Sequence, residues 1–187
     1  MTAQLALVDV PVVPGDRDLW RTPPGVWRAP LALLGRLRYE LDAAADEGPG
    51  ITVPASRRLC PPDDDGLAEW PSVETNRPLA WLNPPFSSSY GGKAAWSTHA
   101  LAQAARGWLV AFYCPVYGDT WADVLEARAV TTIRIGGGRV RHVPPPGVKA
   151  ETPMQTAHRI WLLGPERWRE TLPARLVWNW KSEAWIS

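Results

Sequence analysis

Leu79-Ala80-Trp81-Leu82-Asn83-Pro84-Pro85-Phe86 is the stretch on which the fold turns. Four consecutive apolar residues read as a strand buried on both faces, of the kind found inside a parallel sheet. A polar residue, two prolines and an aromatic then close it. Proline fixes φ and has no N–H to give to a ladder, so the strand ends here with its carbonyls held in set directions. The following Ser87-Ser88-Ser89-Tyr90-Gly91-Gly92-Lys93 has the glycine freedom that a lid needs. It lacks the spacing of a phosphate-binding glycine loop.

Working outward, Leu37, Tyr39 and Leu41 alternate and stop at Asp42, which predicts a second strand. Pro23-Pro24 open a helix through Leu34, with Pro30 as an interruption. Residues 51–78 read as loop-rich. Beyond the lid, Lys93–Ala105 reads as a helix and Trp108–Cys114 as a buried strand ended by Pro115. Thr120 is the expected N-cap of a helix over Trp121–Arg128. Val130–Ile135, Gly136-Gly137-Gly138 and Arg139–Val143 read as a hairpin, and His158–Leu163 as one more strand. The expected architecture is α/β: a mixed, mainly parallel sheet with antiparallel C-terminal strands. Residues 1–19 read as an arm, and 20–187 as a single domain with a C-terminal hairpin and tail. In such sheets ligands bind outside the carboxyl ends of strands. Asp42 and Asn83, each ending a strand, are therefore expected to line one crevice.

Composition narrows the partners. The 187 residues carry a formal net charge of only +1, which excludes a strongly basic nucleic-acid coat. The positive charge lies in the later half, where Arg128, Arg134, Arg139 and Arg141 follow one another with no acid between them, and this favours a polyanionic partner there. Cys60 and Cys114 give neither a disulfide framework nor zinc spacing, and Cys114 reads as a core thiol. The acidic run Asp63-Asp64-Asp65 is not followed by a calcium-loop pattern, so no metal is expected. No segment is long enough to span a membrane, and no signal peptide is visible, so the expected location is the cytoplasm. The 12 tryptophans, Trp178, Trp180 and Trp185 of the tail among them, are scattered and read as packing. His99, His142 and His158 have no metal spacing and read as surface or hairpin polar residues.

The chemistry follows from the Asn-Pro-Pro-aromatic set. An exocyclic amine on an aromatic ring is a poor nucleophile, because its lone pair is delocalised. Two acceptors binding both N–H groups draw the nitrogen toward tetrahedral geometry and free that pair. Asn83 Oδ1 and the Pro84 carbonyl are suited to this, acting by position and electrostatics rather than as bases. Pro85 stiffens the turn. Phe86 offers a face for a flipped base, with stacking worth about 1–3 kcal/mol.

These residues resemble, in order, the phage-encoded, Dam-like DNA adenine-N6 methyltransferases. Trp20-Arg21-Thr22-Pro23-Pro24 is similar to the family's Trp-x-Thr-Pro opening, and Leu41-Asp42-Ala43-Ala44-Ala45 to its Leu-Asp-Ala-Ala segment. Asp65-Gly66-Leu67 resembles the acidic element before the catalytic strand. Gly138-Arg139-Val140-Arg141 resembles the terminal Gly-Arg hairpin. The resemblance implies a Rossmann-like fold using S-adenosylmethionine, with DNA as partner and a phage or prophage origin. It implies that Trp20, Thr22, Pro23, Asp42, Ala43 and Asp65 form the cofactor pocket. It implies that Asn83, Pro84, Pro85 and Phe86 are catalytic, and that Ser87, Lys93, Arg134, Arg139 and Arg141 meet DNA. Phe86 stands where relatives usually carry Tyr, His99 where Lys is common, and His142 at a usual Phe position. A non-catalytic DNA-binding module stays open, as does methylation of cytosine N4 or a protein glutamine, because related motifs serve those amines.

Overall fold

The computed structural model describes residues 20–46, 52–60, 65–72, 74–85, 91–116, 118–145 and 156–186. The expected arm over 1–19, Phe86 and Ser87 with the rest of the lid to Tyr90, and the acids Asp63 and Asp64 lie outside them. The elements run α1 (Pro24–Leu34), β1 (Tyr39–Asp42), β2 (Ala55–Arg58), β3 (Leu79–Leu82), α2 (Gly92–Ala105), β4 (Leu109–Val116), α3 (Thr120–Arg128), β5 (Thr131–Gly136), β6 (Ala157–Leu163), β7 (Arg175–Asn179) and β8 (Ala184–Trp185). All eight strands join one sheet in the order β2-β1-β3-β4-β6-β5-β7-β8.

The sheet is mixed. β2, β1, β3 and β4 are mutually parallel. β6 runs antiparallel between β4 and β5, β7 is parallel to β5, and β8 is antiparallel to β7. The expected parallel dominance therefore holds only for the first half, and the C-terminal strands are not uniformly antiparallel.

Helices cover both faces, which is why β3 and β4 are apolar without alternation. Leu109, Ala111 and Tyr113 of β4 pack with Trp81 on the face that α1 covers through Val26, Trp27, Ala29 and Leu31. Val110, Phe112 and Cys114 pack on the opposite face with Trp96, Ala100 and Ala104 of α2 and with Ala122 and Leu125 of α3. Burial pushes the Cys114 thiol up to about 12, as befits an inert core group.

Several local expectations are corrected. Pro30 sits inside α1 without breaking it. The ring forfeits one N–H bond, but Pro30 and five other residues of the helix are buried, and tertiary packing, not propensity, holds such a helix. Gly35, at φ 62°, ends it. β4 continues through Pro115, which pairs with His158. Asp119, not Thr120, is the N-cap of α3, and no side chain caps the helix. No hairpin forms over 130–143. Both edges of β5 are occupied, by β6 and β7, so after Gly137 and Gly138, at φ 88° and 95°, the chain leaves the sheet. Val143 instead exchanges two 2.9 Å backbone hydrogen bonds with Arg21. Of the tail tryptophans, Trp178 on β7 is buried and donates Nε1–H to the Gly25 carbonyl at 2.6 Å, Trp180 follows β7 and is partly buried against the α1-side core, and Trp185 on β8 is exposed.

Candidate active site

β1 is flanked by β2 on one side and β3 on the other, so the chain reverses its direction of travel across the sheet between them. A crevice opens at the carboxyl ends of strands at such a switch point. Asp42 ends β1 and Asn83 follows the last residue of β3. Asp42 is in register with Trp81, and the Ala43 N–H donates to the Trp81 carbonyl at 3.0 Å. The structure thus brings together two candidates that lie far apart in the sequence.

Asn83 carries the most informative atom of the site. Its Oδ1 is buried and accepts no hydrogen bond. A buried carbonyl oxygen without a donor costs about 1–3 kcal/mol, and such orphans in a folded protein call for a functional reason. Pro84 beside it is buried and Pro85 half-buried.

Asp42 is only 6 % exposed. Burial raises its carboxyl to about 7; the Ala44 N–H and the Arg58 guanidinium pull the other way, while Asp46 adds to the rise. Near neutral pH this group stands between its acid and its carboxylate, so a cation entering the crevice would draw off its proton.

The Asp65 loop is fastened to the same strand end. A Cβ on Gly66 would stand 2.1 Å from the Ala43 carbonyl oxygen and 2.8 Å from the Trp96 indole. Only glycine allows this approach. The Trp70 Nε1–H donates to the Gly66 carbonyl at 2.9 Å, and the Leu67 N–H donates to Asp65 Oδ1 at 2.8 Å. Asp65 itself is exposed.

The Trp20–Pro23 segment reaches this edge through Arg21. Its guanidinium grips Asp46 with two bonds, Nε to Oδ2 at 2.8 Å and Nη2 to Oδ1 at 2.5 Å. Thr22 and Pro23 are buried and Trp20 is half-buried. The three expected parts of the cofactor pocket, around Trp20, Asp42 and Asp65, are therefore tied to one another.

The expected DNA contacts lie on several elements. Lys93 lies 4.0 Å from Asp119 and 5.6 Å from the Trp121 ring centroid. Ile133 and Ile135 face α1, so alternation turns exposed Arg134 to the other side. Val140 packs into the α1-side core, with Arg139 and Arg141 exposed on either side of it.

Of the histidines read as polar surface or hairpin residues, His158 is buried and His142 half-buried. His158 is 2 % exposed. The Tyr113 hydroxyl lies 2.7 Å from His158 Nδ1 and 3.2 Å from His142 Nε2. Burial lowers His142 to about 4 and His158, with His142 beside it, to about 3. The alternation of His158 with Ile160 and Leu162, all on one side of β6, was the available signal.

No protein-family model matches the chain, and neither the curated proteins nor the solved structures hold a match to it. Among the described residues no helix is long and apolar enough to cross a membrane, and no group of His, Cys, Asp and Glu could hold a metal ion.

Proposed function

We propose that this chain is an S-adenosylmethionine-dependent methyltransferase acting on the exocyclic N6 amine of adenine in DNA. The observation that carries the reading is the unpartnered, buried Oδ1 of Asn83 at the switch point, one strand from Asp42. An acceptor held dry and open is what an incoming amine N–H requires, and the adjacent Pro84 carbonyl supplies the second acceptor.

The residues present fit the donor. S-adenosylmethionine supplies a methyl group already activated by its sulfonium. Asp42, ionised by a neighbouring cation, holds the ammonium of the methionine part. The close approach of Gly66 to the Ala43 carbonyl fastens the Asp65 loop to the end of β1, where Asp65 would meet the adenosine part. Thr22 and Pro23, locked through Arg21 to Asp46, wall the pocket. The ordered resemblance of these segments to the Dam-like methyltransferases supports adenine as target, and the arginine-rich later half supports DNA as partner.

The test is transfer of tritiated methyl groups to unmethylated DNA by the purified protein, followed by nucleoside analysis. N6-methyladenine is the expected product. N4-methylcytosine would move the target to the other amine. Donor binding without incorporation would leave a DNA-binding module.

A further inference from the structure

On the α1 side the core runs out to β7, taking in Ile133, Ile135 and Trp178. On the α2–α3 side it stops at β6. It takes Trp161 and Leu163 from that strand and nothing from β5, β7 or β8. Among the described residues the later half of the sheet therefore has one open face, where a sheet of this class is usually covered.

Charge on this face is one-sided. β5 to β8 contain three arginines, Arg134, Arg159 and Arg175, and no acid. Strand alternation sets all three on the open face. Arg134 lies between Ile133 and Ile135, which point to α1. Arg159 lies two residues before Trp161 and so shares its side. Arg175 precedes Leu176, which packs on the α1 side. Arg134 and Arg159 are direct partners across β5 and β6, and Arg175 is one row away, level with Thr132.

Among the described residues the only carboxylate within ion-pair distance of these arginines is Glu126 of α3, 3.1 Å from Arg159 and 3.7 Å from Arg175. Glu126 also accepts the Trp161 Nε1–H at 2.7 Å. Exposed Arg134 has no ion pair there. Like charges directly opposite each other destabilise a sheet, and uncharged polar residues would solvate an open face without that cost. Three guanidiniums spread over three strands exceed what one carboxylate neutralises. They suit a partner with repeated anionic groups, each phosphate taking a guanidinium fork.

We propose that the open face of β6, β5 and β7 binds the phosphate backbone of DNA through Arg134, Arg159 and Arg175. The surface deepens the methyl-transfer reading and rests on it for the choice of DNA. Its contacts carry no base sequence information, and they add affinity rather than chemistry.

The test is fluorescence anisotropy of a labelled duplex of mixed sequence, titrated with the protein between about 50 and 200 mM salt. Arg134→Gln and Arg175→Gln are each expected to weaken binding about fivefold. Each is expected to reduce the slope of log affinity against log salt by about one, equally for duplexes of different sequence. Arg38→Gln is the control and is expected to bind as wild type, because exposed Arg38 precedes β1, with β3 and β4 between that strand and β6. Arg134→Glu excludes a structural role. It places an acid opposite Arg159, so the melting temperature is expected to hold or rise while DNA affinity falls by more than about tenfold.

Wild-type affinity and salt slope in Arg134→Gln and Arg175→Gln would overturn the surface and leave methyl transfer standing. An equal loss in Arg38→Gln would reduce the effect to net charge and overturn the surface as well. Binding that depends on these arginines, in a protein that labels no amine, would sustain the surface and overturn the methyl-transfer reading. A wild-type protein that binds no duplex would overturn both.

Discussion

Asp42 pairs with Trp81 across the two parallel strands at the switch point, so its carboxyl ends β1 two positions before Asn83 in the register of β3. One residue is a buried acid raised to about 7 and the other a buried acceptor without a donor. Neither is how a protein stabilises itself, and each is suited to a ligand.

Asn83→Ala separates activity from stability. The substitution removes an unsatisfied acceptor, so the melting temperature is expected to hold or rise. Methyl transfer is expected to fall by about 10²–10³-fold, with donor affinity within twofold of wild type. A clear loss of melting temperature would mean that Asn83 is a structural residue.

Asp42 gives a pH dependence of definite sign. Its folded value of about 7 lies above the ordinary 3.8, so its contribution to stability is full below about pH 4 and is lost as pH rises through 7. On the methyl-transfer reading, donor affinity is expected to run the other way, strengthening as the carboxyl ionises. Asp42→Asn should flatten the loss of stability between about pH 4 and 7 and weaken donor binding at pH 8. Calorimetry across pH 4–8 and titration of the donor over the same range measure both.

The histidines act at the acid end. Their folded values, about 4 for His142 and about 3 for His158, lie below the ordinary 6.5. The stability they contribute is present above about pH 6.5 and is lost as pH falls toward 3. His142→Gln should flatten this acid limb in denaturant melts and leave the alkaline limb unchanged.

Gly66→Ala tests the fastening of the Asp65 loop. Its new methyl group would overlap the Ala43 carbonyl oxygen, forcing the loop away from β1 at a cost of about 1–3 kcal/mol. Donor affinity should drop by at least tenfold while the sheet persists by circular dichroism. Unchanged affinity would exclude Asp65 from the pocket.

The sequence made the middle of the sheet legible and its later edge obscure, for physical reasons. Leu79–Leu82 and Trp108–Cys114 are continuous apolar runs, and only burial on both faces explains such runs. Asp42 and Asn83 stood out because each interrupts an apolar pattern. β2, Ala-Ser-Arg-Arg, is an edge strand with three exposed residues and carries no pattern to detect. The 130–143 hairpin failed because the glycines marked a turn truly, but strand pairing is decided by which edges are free, and β6 and β7 come later in the chain. His142 and His158 were misread because composition assigns histidine to the surface, whereas the Tyr113 hydroxyl gives both a partner inside.

The bond from Trp178 to the Gly25 carbonyl spans 153 positions of the chain, and Arg28 is paired with Glu183 at the same clamp. The helix made first thus receives its last contacts from the strands made last. During synthesis α1 can pack on β3 and β4 as these are made, but its clamp to the C-terminal strands must wait. Until residues 175–185 leave the ribosome, the Gly25 carbonyl and Arg28 lack these partners, and a chain stalled before that point would hold α1 on the sheet without its clamp.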